Sequence, residues 1–245
     1  MILTVLGSGG ISPDPQRGGA AYLLSDKECH LLLDAGPGSS RALVKAGYSP
    51  ADLFGICITH RHPDHTSEFR LIIDQERSRR RSEPLLLAGP EILDDLINFH
   101  LTWGRDKPAS LSFQIDRLVL PGKRQAGSFL IESVAVPHVS QSVGLRITAG
   151  NQTIVYPGDC GPSEKVVLLA KAADLLILEC TLASGQNSRH HLSPEDAGQI
   201  ALQSGCKKLV LSHFPPTADV ENALAICNKM GVVTEAAYDG AIYRV

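Results

Sequence analysis

The most reactive combination of residue types in this chain is a short run of three histidines and one aspartate. These residues follow an apolar run at 53–58 and are His60, His62, Asp64 and His65. Imidazole is mostly neutral at physiological pH and is the commonest protein metal ligand. Alternate side chains of an extended segment point the same way, so His60 and His62 can reach one point. Pro63 suits the first turn of a helix, whose start directs Asp64 and His65 at a neighbouring point. One segment therefore offers ligands to two adjacent cations.

Two metal ions require further ligands, and other predicted strand ends supply them. Three residues of suitable type each follow a predicted β-strand: His138, Asp159 and His213. In open α/β sheets, binding groups collect beyond the carboxyl ends of the strands. The chain therefore predicts a two-metal centre at one edge of its sheets.

The elements that must position these residues are short apolar strands alternating with amphipathic helices, a pattern that suits mixed sheets covered by helices. We predict an α/β fold, a four-layer αβ/βα sandwich of two mixed β-sheets flanked by helices, formed by a single domain over residues 1–245. The first half is predicted to hold strands near 1–6, 20–25, 30–34, 54–59 and 85–88 and helices near 38–47, 63–78 and 90–103. The second half is predicted to hold strands near 112–120, 127–136, 142–149, 152–156, 174–179, 208–212 and 241–244 and helices near 163–171, 194–204 and 218–230. Trp103, at the end of a predicted helix, is expected to close the core.

Composition and charge favour an enzyme in the cytoplasm. With 43% hydrophobic residues among 245, the chain can bury a large core. A net charge of −3 argues against a general nucleic-acid-binding surface. The chain starts directly with a strand-like segment, and it has no run of about 18 apolar residues, so we expect neither export nor a membrane span.

The run His60–His65 resembles the His-x-His-x-Asp-His segment that defines the metallo-β-lactamase superfamily. Glycine turns at 6–10 and 32–36 extend the likeness, which covers nearly the whole chain in the same order. The resemblance implies two divalent metal ions and assigns their ligands. The first ion would be held by His60, His62 and His138, the second by Asp64, His65 and His213, and Asp159 would bridge both.

Imidazole-rich ligands favour zinc, with manganese or iron as alternatives because carboxylates also take part. The resemblance further suggests a homodimer, and Asp34 is predicted to shape the floor of the site in a structural role.

Two ions about 3.5–4 Å apart can bind a bridging hydroxide, polarise a substrate and steady a leaving oxygen, which is the chemistry of hydrolysis. Phosphodiesters, β-lactams, lactones and thioesters all remain open on this basis. The segment His138–Arg146 is similar to a motif of the ribonuclease Z-like branch, with Leu145 in place of an aromatic residue. Glu179 and His191 resemble a pair in that branch in which the histidine protonates the leaving oxygen and the glutamate orients it. The candidate catalytic residues are Asp64, Glu179 and His191.

We therefore predict a phosphodiesterase acting on a small cyclic or nucleotide phosphodiester. RNA is possible as a partner but not favoured, because the run 77–81 is the only basic patch and no long arm for grasping transfer RNA is visible. The alternatives are a transfer-RNA 3′ processing endonuclease of ribonuclease Z type and a thioesterase- or lactonase-type acyl hydrolase, which would not need His191. A metal-binding module without turnover is disfavoured by the intact ligand set.

Overall fold

The computed structural model describes residues 1–27, 29–104 and 106–245, and within them the strands form two seven-stranded sheets. The strands of the first sheet are β1 (Ile2–Gly7), β2 (Ala21–Asp26), β3 (Cys29–Leu33), β4 (Gly55–Cys57), β5 (Leu85–Gly89), β6 (Ile115–Val119) and β14 (Ile242–Arg244). Their spatial order is β14-β1-β2-β3-β4-β5-β6. The pairs from β14 to β3 are antiparallel, and those from β3 to β6 are parallel.

The second sheet repeats this arrangement of pairings. Its strands are β7 (Lys123–Ala126), β8 (Phe129–Ala135), β9 (Val143–Ala149), β10 (Gln152–Tyr156), β11 (Leu175–Glu179), β12 (Leu209–Ser212) and β13 (Thr234–Ala236). Their spatial order is β13-β12-β11-β10-β9-β8-β7, with antiparallel pairs from β7 to β10 and parallel pairs from β10 to β13. The two halves of the chain thus build similar sheets.

Helices connect the strands and cover the outer faces of the sheets. They are α1 (Ser39–Lys45), α2 (Pro63–Thr66), α3 (Phe69–Ser78), α4 (Ile92–Thr102), α5 (Glu164–Leu169), α6 (Pro194–Ser204) and α7 (Val220–Lys229), with a 3₁₀ turn at Pro50–Asp52. The start of α6 shows why the helices begin where they do. Ser193 accepts a hydrogen bond from the amide of Asp196 and donates one to its carboxylate, so the first turn is capped. In the part of the chain that the structure describes, no helix has the length and apolar character to span a bilayer.

Alternating side chains give each sheet two buried faces. Leu31 and Leu33 of β3 pack in the core between the two sheets, whereas Leu32 packs beneath the helices. In β11, Ile177 faces the central core and Leu178 faces the helices of the second half. Because strand side chains alternate between faces, apolar runs are buried on both sides. The predicted α/β four-layer sandwich of two mixed sheets is confirmed.

Several predicted elements differ from the structure in sheet membership or length. The sequence predicts the segments near 112–120 and 241–244 as strands of the second half, but β6 and β14 pair with β5 and β1 as edges of the first sheet. The strands β7 and β13 were not predicted because they are short and largely polar. The predicted helix at 63–78 is divided into α2 and α3.

Two local features account for other departures. Glu68 lies between α2 and α3, and its carboxylate accepts hydrogen bonds from the amides of Gly38 and Ser40, both at 2.6 Å. This contact ties the break in the helix to the start of α1. The prediction that Trp103 closes the core is wrong. This residue lies just beyond the end of α4 and is 60% exposed.

Candidate metal centre

The predicted ligand residues follow the carboxyl ends of four strands, at one edge of the sandwich. His60 and His62 follow β4, His138 follows β8, Asp159 follows β10, and His213 follows β12. Pro63 begins α2 directly after His62, as predicted, so Asp64 and His65 belong to a short helix. The structure brings all seven predicted ligand residues together in two groups that share Asp159.

The first group consists of His60, His62, His138 and Asp159, each offering one ligand atom within 4.8 Å of the others. The Nε2 atom of His138 lies 3.1 Å from Nδ1 of His62. The Oδ2 atom of Asp159 lies 3.8 Å from the same Nε2 atom. Three imidazoles and one carboxylate oxygen therefore converge on one point.

The second group consists of Asp64, His65, Asp159 and His213. The Nε2 atoms of His65 and His213 lie 3.2 Å apart, and each lies 3.2 Å from Oδ1 of Asp159. The Oδ2 atom of Asp64 lies 3.2 Å from Nε2 of His213. Asp159 thus directs one oxygen at each group, which is the arrangement of a bridging carboxylate.

The geometry of both groups fits a divalent cation. Nitrogen ligands at 2.0–2.1 Å from a tetrahedral zinc ion would be about 3.3 Å from one another, close to the separations of 3.1 and 3.2 Å observed here. Among the described residues, two buried atoms of these groups, Nε2 of His60 and Oδ1 of Asp159, have no hydrogen-bond partner. Leaving such an atom unsatisfied costs about 1–3 kcal/mol. Cations at the two convergence points would satisfy both atoms.

The electrostatics of the ligands also suits cation binding. Burial strongly lowers the pKa of His60, so this imidazole is neutral and its lone pair is available. Burial alone would raise the pKa of Asp159, but the His213 and His65 imidazoles hold it well below its usual range. Metal ions bind neutral imidazole and ionised carboxylate. His60 and Asp159 are therefore in their ligating forms, whereas nearby carboxylates raise the pKa values of His65 and His213, which would release a proton on binding a cation.

Asp34, which follows β3, holds ligands of both groups in place. Its Oδ2 atom accepts hydrogen bonds from Nδ1 of His65 at 2.7 Å, from the Tyr156 hydroxyl at 2.7 Å and from the Thr59 hydroxyl at 2.9 Å. Its Oδ1 atom accepts from the Thr59 amide at 2.8 Å. The Thr59 hydroxyl in turn lies 3.1 Å from Nδ1 of His60. A histidine bonded through Nδ1 presents Nε2 to a metal ion, so Asp34 orients His65 directly and His60 through Thr59.

The sequence predicted that Asp34 shapes the floor of the site, but these contacts exceed a structural role. The sequence contained a signal of this role, because Asp34 directly follows a strand, as the predicted ligand residues do. Its backbone φ of 57° is a second unusual feature, in the left-handed region that only aspartate, asparagine and glycine commonly visit.

His191 and Glu179 form a hydrogen-bonded pair beside the first group. Nδ1 of His191 lies 2.8 Å from Oε1 of Glu179, and its ring centre is 4.9 Å from that of His138. The hydrogen bond to Glu179 raises the pKa of His191. Glu179 also accepts bonds from the amides of Cys160, Thr181 and Leu192, which fix its carboxylate. Asp159 completes a third cluster with this pair.

Two arginines, one at the end of the segment 138–146 and one in the basic run 77–81, form hydrogen bonds within the fold. Arg146 donates two hydrogen bonds to the carbonyls of Leu169 and Lys171, so its guanidinium is held on the outer side of the second sheet. Arg81 of the basic run contacts Glu76 at 3.2 Å and the carbonyl of Leu53 at 3.0 Å, and its side chain is 9% exposed. Both arginines therefore support the fold.

A glycine loop after β1 packs on His213 and leads to a testable prediction. A Cβ atom at Gly10 would lie 2.8 Å from Cε1 of the His213 ring. We expect Gly10→Ala to displace this ring and to lower metal content from two ions to one per chain, because only the second group contains His213. Metal analysis of the purified protein checks this. Gly122→Ala is the control, since its Cβ would approach only the Val119 carbonyl, at 3.2 Å. Two ions retained in Gly10→Ala would contradict the expectation.

Comparison with known proteins agrees with this geometry. The model of the family described as Beta-lactamase superfamily domain matches residues 30–214. The Bacillus subtilis protein named "Probable metallo-hydrolase YhfI" is 29% identical over 225 residues, covering 88% of this chain and 87% of the relative. The crystal structure of YhfI, described as a metallo-beta-lactamase fold protein, matches with a TM-score of 0.85 at 24% identity over 99% of this chain and 98% of that chain.

Two further similar proteins carry the name of a nuclease. Ribonuclease Z of Pyrococcus abyssi is 27% identical over 264 residues, covering 86% of this chain and 85% of the relative. The crystal structure of the short form of human tRNase Z matches with a TM-score of 0.82 at 23% identity, over 100% of this chain and 99% of that chain. The family match, the confirmed sandwich and the paired ligand groups lead to one conclusion: the chain belongs to the β-lactamase superfamily and is a metal-dependent hydrolase.

Proposed function

We propose that this hydrolase is a dinuclear phosphodiesterase that acts on a small cyclic or nucleotide phosphodiester. The observation that carries the proposal is the pair of His191 and Glu179, which places a further imidazole, besides the three of the first ligand group, next to Asp159. An alkoxide leaving group needs a proton, whereas a thiolate leaves without one. A positioned proton donor therefore favours diesters over thioesters.

We propose zinc for both positions, because five imidazoles and two carboxylates make up the two groups. When bound, the two ions would supply Lewis acidity and an activated water molecule. His60, His62 and His138 would hold the first ion, Asp64, His65 and His213 the second, and Asp159 both. Residues 1–245 would work as one unit, since the central core takes side chains from both sheets.

The contribution of the chain itself is to move a proton. Nδ1 of His191 is engaged by Glu179, which leaves Nε2 as the nitrogen available to a substrate. In its charged form, His191 would donate the proton on Nε2 to the leaving oxygen as the phosphorus–oxygen bond breaks. Glu179 would stabilise the charged imidazole and keep its ring in position, because its own carboxylate is held by three backbone amides.

The relatives support cleavage of phosphodiesters, since a protein named ribonuclease Z is by its name a nuclease. A transfer-RNA 3′ processing endonuclease is accordingly the second candidate. We prefer a small substrate because the net charge is −3 and Arg81 of the basic run is engaged within the fold. Tight RNA binding relies on many cationic contacts to phosphates.

The test compares hydrolysis of bis(p-nitrophenyl) phosphate with that of a thioester and a lactone, using protein of known metal content. We expect turnover of the diester. His191→Ala should lower kcat about 10²- to 10⁴-fold on a diester with an alkyl leaving group. It should have a much smaller effect on the nitrophenyl diester, because nitrophenolate leaves without a proton.

His30→Ala is the matched control, because His30 bonds Ser25 at the opposite end of β3 from Asp34. We expect this control to retain activity on both diesters. Turnover of the acyl substrates alone would overturn the proposed function. An equal loss on both diesters in His191→Ala would remove the proton-donor role.

A further inference from the structure

His190, the residue before the proposed proton donor, is joined to the ligand residue His138 by two reciprocal contacts. Nδ1 of His138 lies 2.9 Å from the carbonyl oxygen of His190. Nδ1 of His190 lies 2.8 Å from the carbonyl oxygen of His138. Since a carbonyl can only accept, each ring donates to the backbone of the other residue. The two residues, 52 positions apart, therefore form a closed pair of hydrogen bonds.

The hydrogen bond from His138 to the His190 carbonyl orients the predicted metal ligand His138. Because Nδ1 of His138 donates to a carbonyl, its Nε2 atom is the nitrogen that faces His62 and Asp159. Hydrogen bonds of this kind set the tautomer and the ring angle of a ligating histidine. The carbonyl that receives this bond belongs to a loop, so its position depends on what holds the loop.

The other half of the pair holds that loop. The segment between β11 and α6 contains no regular element, and its residues 183–187 are exposed. The backbone of this loop packs closely against Gly161. A Cβ atom at Gly161 would lie 2.1 Å from the carbonyl oxygen of Arg189, so only glycine allows this approach. The amide of Gly161 donates to the carbonyl of Pro137 at 2.7 Å, so the residue against which the loop packs is hydrogen-bonded to the residue before His138. The side chain of His190 then adds a hydrogen bond from this part of the loop to the backbone of His138.

We propose that His190 is a positioning residue that docks the loop carrying His191 onto the metal ligand His138. This pair of hydrogen bonds would then set both the ring angle of His138 and the position of the proton donor. The part that concerns His191 rests on the proposed function, whereas the part that concerns His138 rests on the ligand geometry alone. Among the residues that the structure describes, the side chain of His190 is not one of those that converge in either ligand group; it contacts the backbone carbonyl of His138.

The experiment uses two substitutions of His190. His190→Ala removes the Nδ1 donor but leaves the carbonyl that receives the His138 bond. His190→Asn keeps an N–H donor at nearly the same distance from the backbone and should restore the contact. His30→Ala is again the control, because it removes an imidazole that, within the described part of the chain, forms a hydrogen bond with Ser25 and packs on Tyr48.

The first readout is the visible absorption spectrum of the cobalt-substituted protein, which reports ligand geometry and needs no substrate. We expect an altered spectrum in His190→Ala and a spectrum close to the parent in His190→Asn. The second readout is kcat and KM on a diester with an alkyl leaving group. We expect kcat to fall about 10- to 100-fold in His190→Ala, with KM little changed, and to recover in His190→Asn.

Two results would overturn the inference. One is a parent-like cobalt spectrum and kcat in His190→Ala; the other is an asparagine variant as impaired as the alanine variant. Failure of the proposed function is distinguishable, because it would appear as turnover of acyl substrates alone. The cobalt spectra would still decide whether His190 orients His138.

Discussion

Asp159→Ala is expected to abolish hydrolysis and to lower the metal content of the protein at both positions. Its two carboxylate oxygens serve different groups: Oδ1 lies 3.2 Å from the ring nitrogens of His65 and His213, and Oδ2 lies 3.8 Å from that of His138. Alanine removes a ligand from each group at once. The loss of metal affinity and of turnover should exceed the roughly 100-fold loss that follows removal of a hydrogen bond to a metal ligand. Metal analysis and diester turnover, measured on the same preparation, check this.

The matched control is Asp174→Ala, which removes another anchored carboxylate from the same sheet. Asp174 precedes β11 at the end opposite Glu179, where it accepts from the Thr153 amide at 2.7 Å and pairs with Lys207. We expect this variant to keep both ions and its turnover. An Asp159→Ala protein that still bound two ions and turned over substrate would remove Asp159 from the bridging role.

Asp34→Asn is expected to weaken metal binding about 10- to 100-fold although Asp34 contacts no ion position directly. Four donors converge on the two carboxylate oxygens of Asp34. An amide replaces one of these acceptors by a donor, so at least one buried N–H or O–H group loses its partner in either orientation. That should also lower the free energy of unfolding by about 1–3 kcal/mol. Metal titration and urea unfolding of the metal-free protein measure the two effects.

Asparagine is the informative replacement at this position for a conformational reason. The backbone φ of Asp34 is 57°, and asparagine tolerates this left-handed conformation as aspartate does. A loss in Asp34→Asn can therefore be assigned to the acceptor and not to backbone strain. Tyr156→Phe is the control, since it removes one donor to Oδ2 and leaves His65 and Thr59 bonded. An Asp34→Asn protein with parent affinity for both ions would contradict the orienting role.

The local part of the site could be predicted because its information lies within a few residues. The run His60–His65 combines ligand types with a strand end and a proline, and each of these signals acts over one or two residues. The apolar run near 30–34 likewise predicted a strand, and the structure buries Leu31 and Leu33 on one face of β3 and Leu32 on the other. Period and residue type were enough for these elements.

Contacts between distant segments could not be predicted in the same way. The prediction that the edge strands β6 and β14 belong to the second half is wrong. The residues of a strand do not identify the strand with which it pairs, and here backbone hydrogen bonds join β6 to β5 and β14 to β1. His190 gave no sequence signal beyond a neighbouring histidine. Its role depends on the His138 carbonyl, 52 residues away.

By itself, the sequence determined the residue types of the metal centre, the strand ends that carry them and the layered class of the fold. These follow from side-chain chemistry and from the two-residue period of a strand, which are both local. The family resemblance implied that Asp159 bridges both ions; only the tertiary structure decided which of its oxygens faces which group and that Asp34 orients ligands of both. Those functions exist only when strand ends from the two sheets meet at one edge, because a hydrogen bond or a shared ligand requires atoms about 3 Å apart, whatever their separation along the chain.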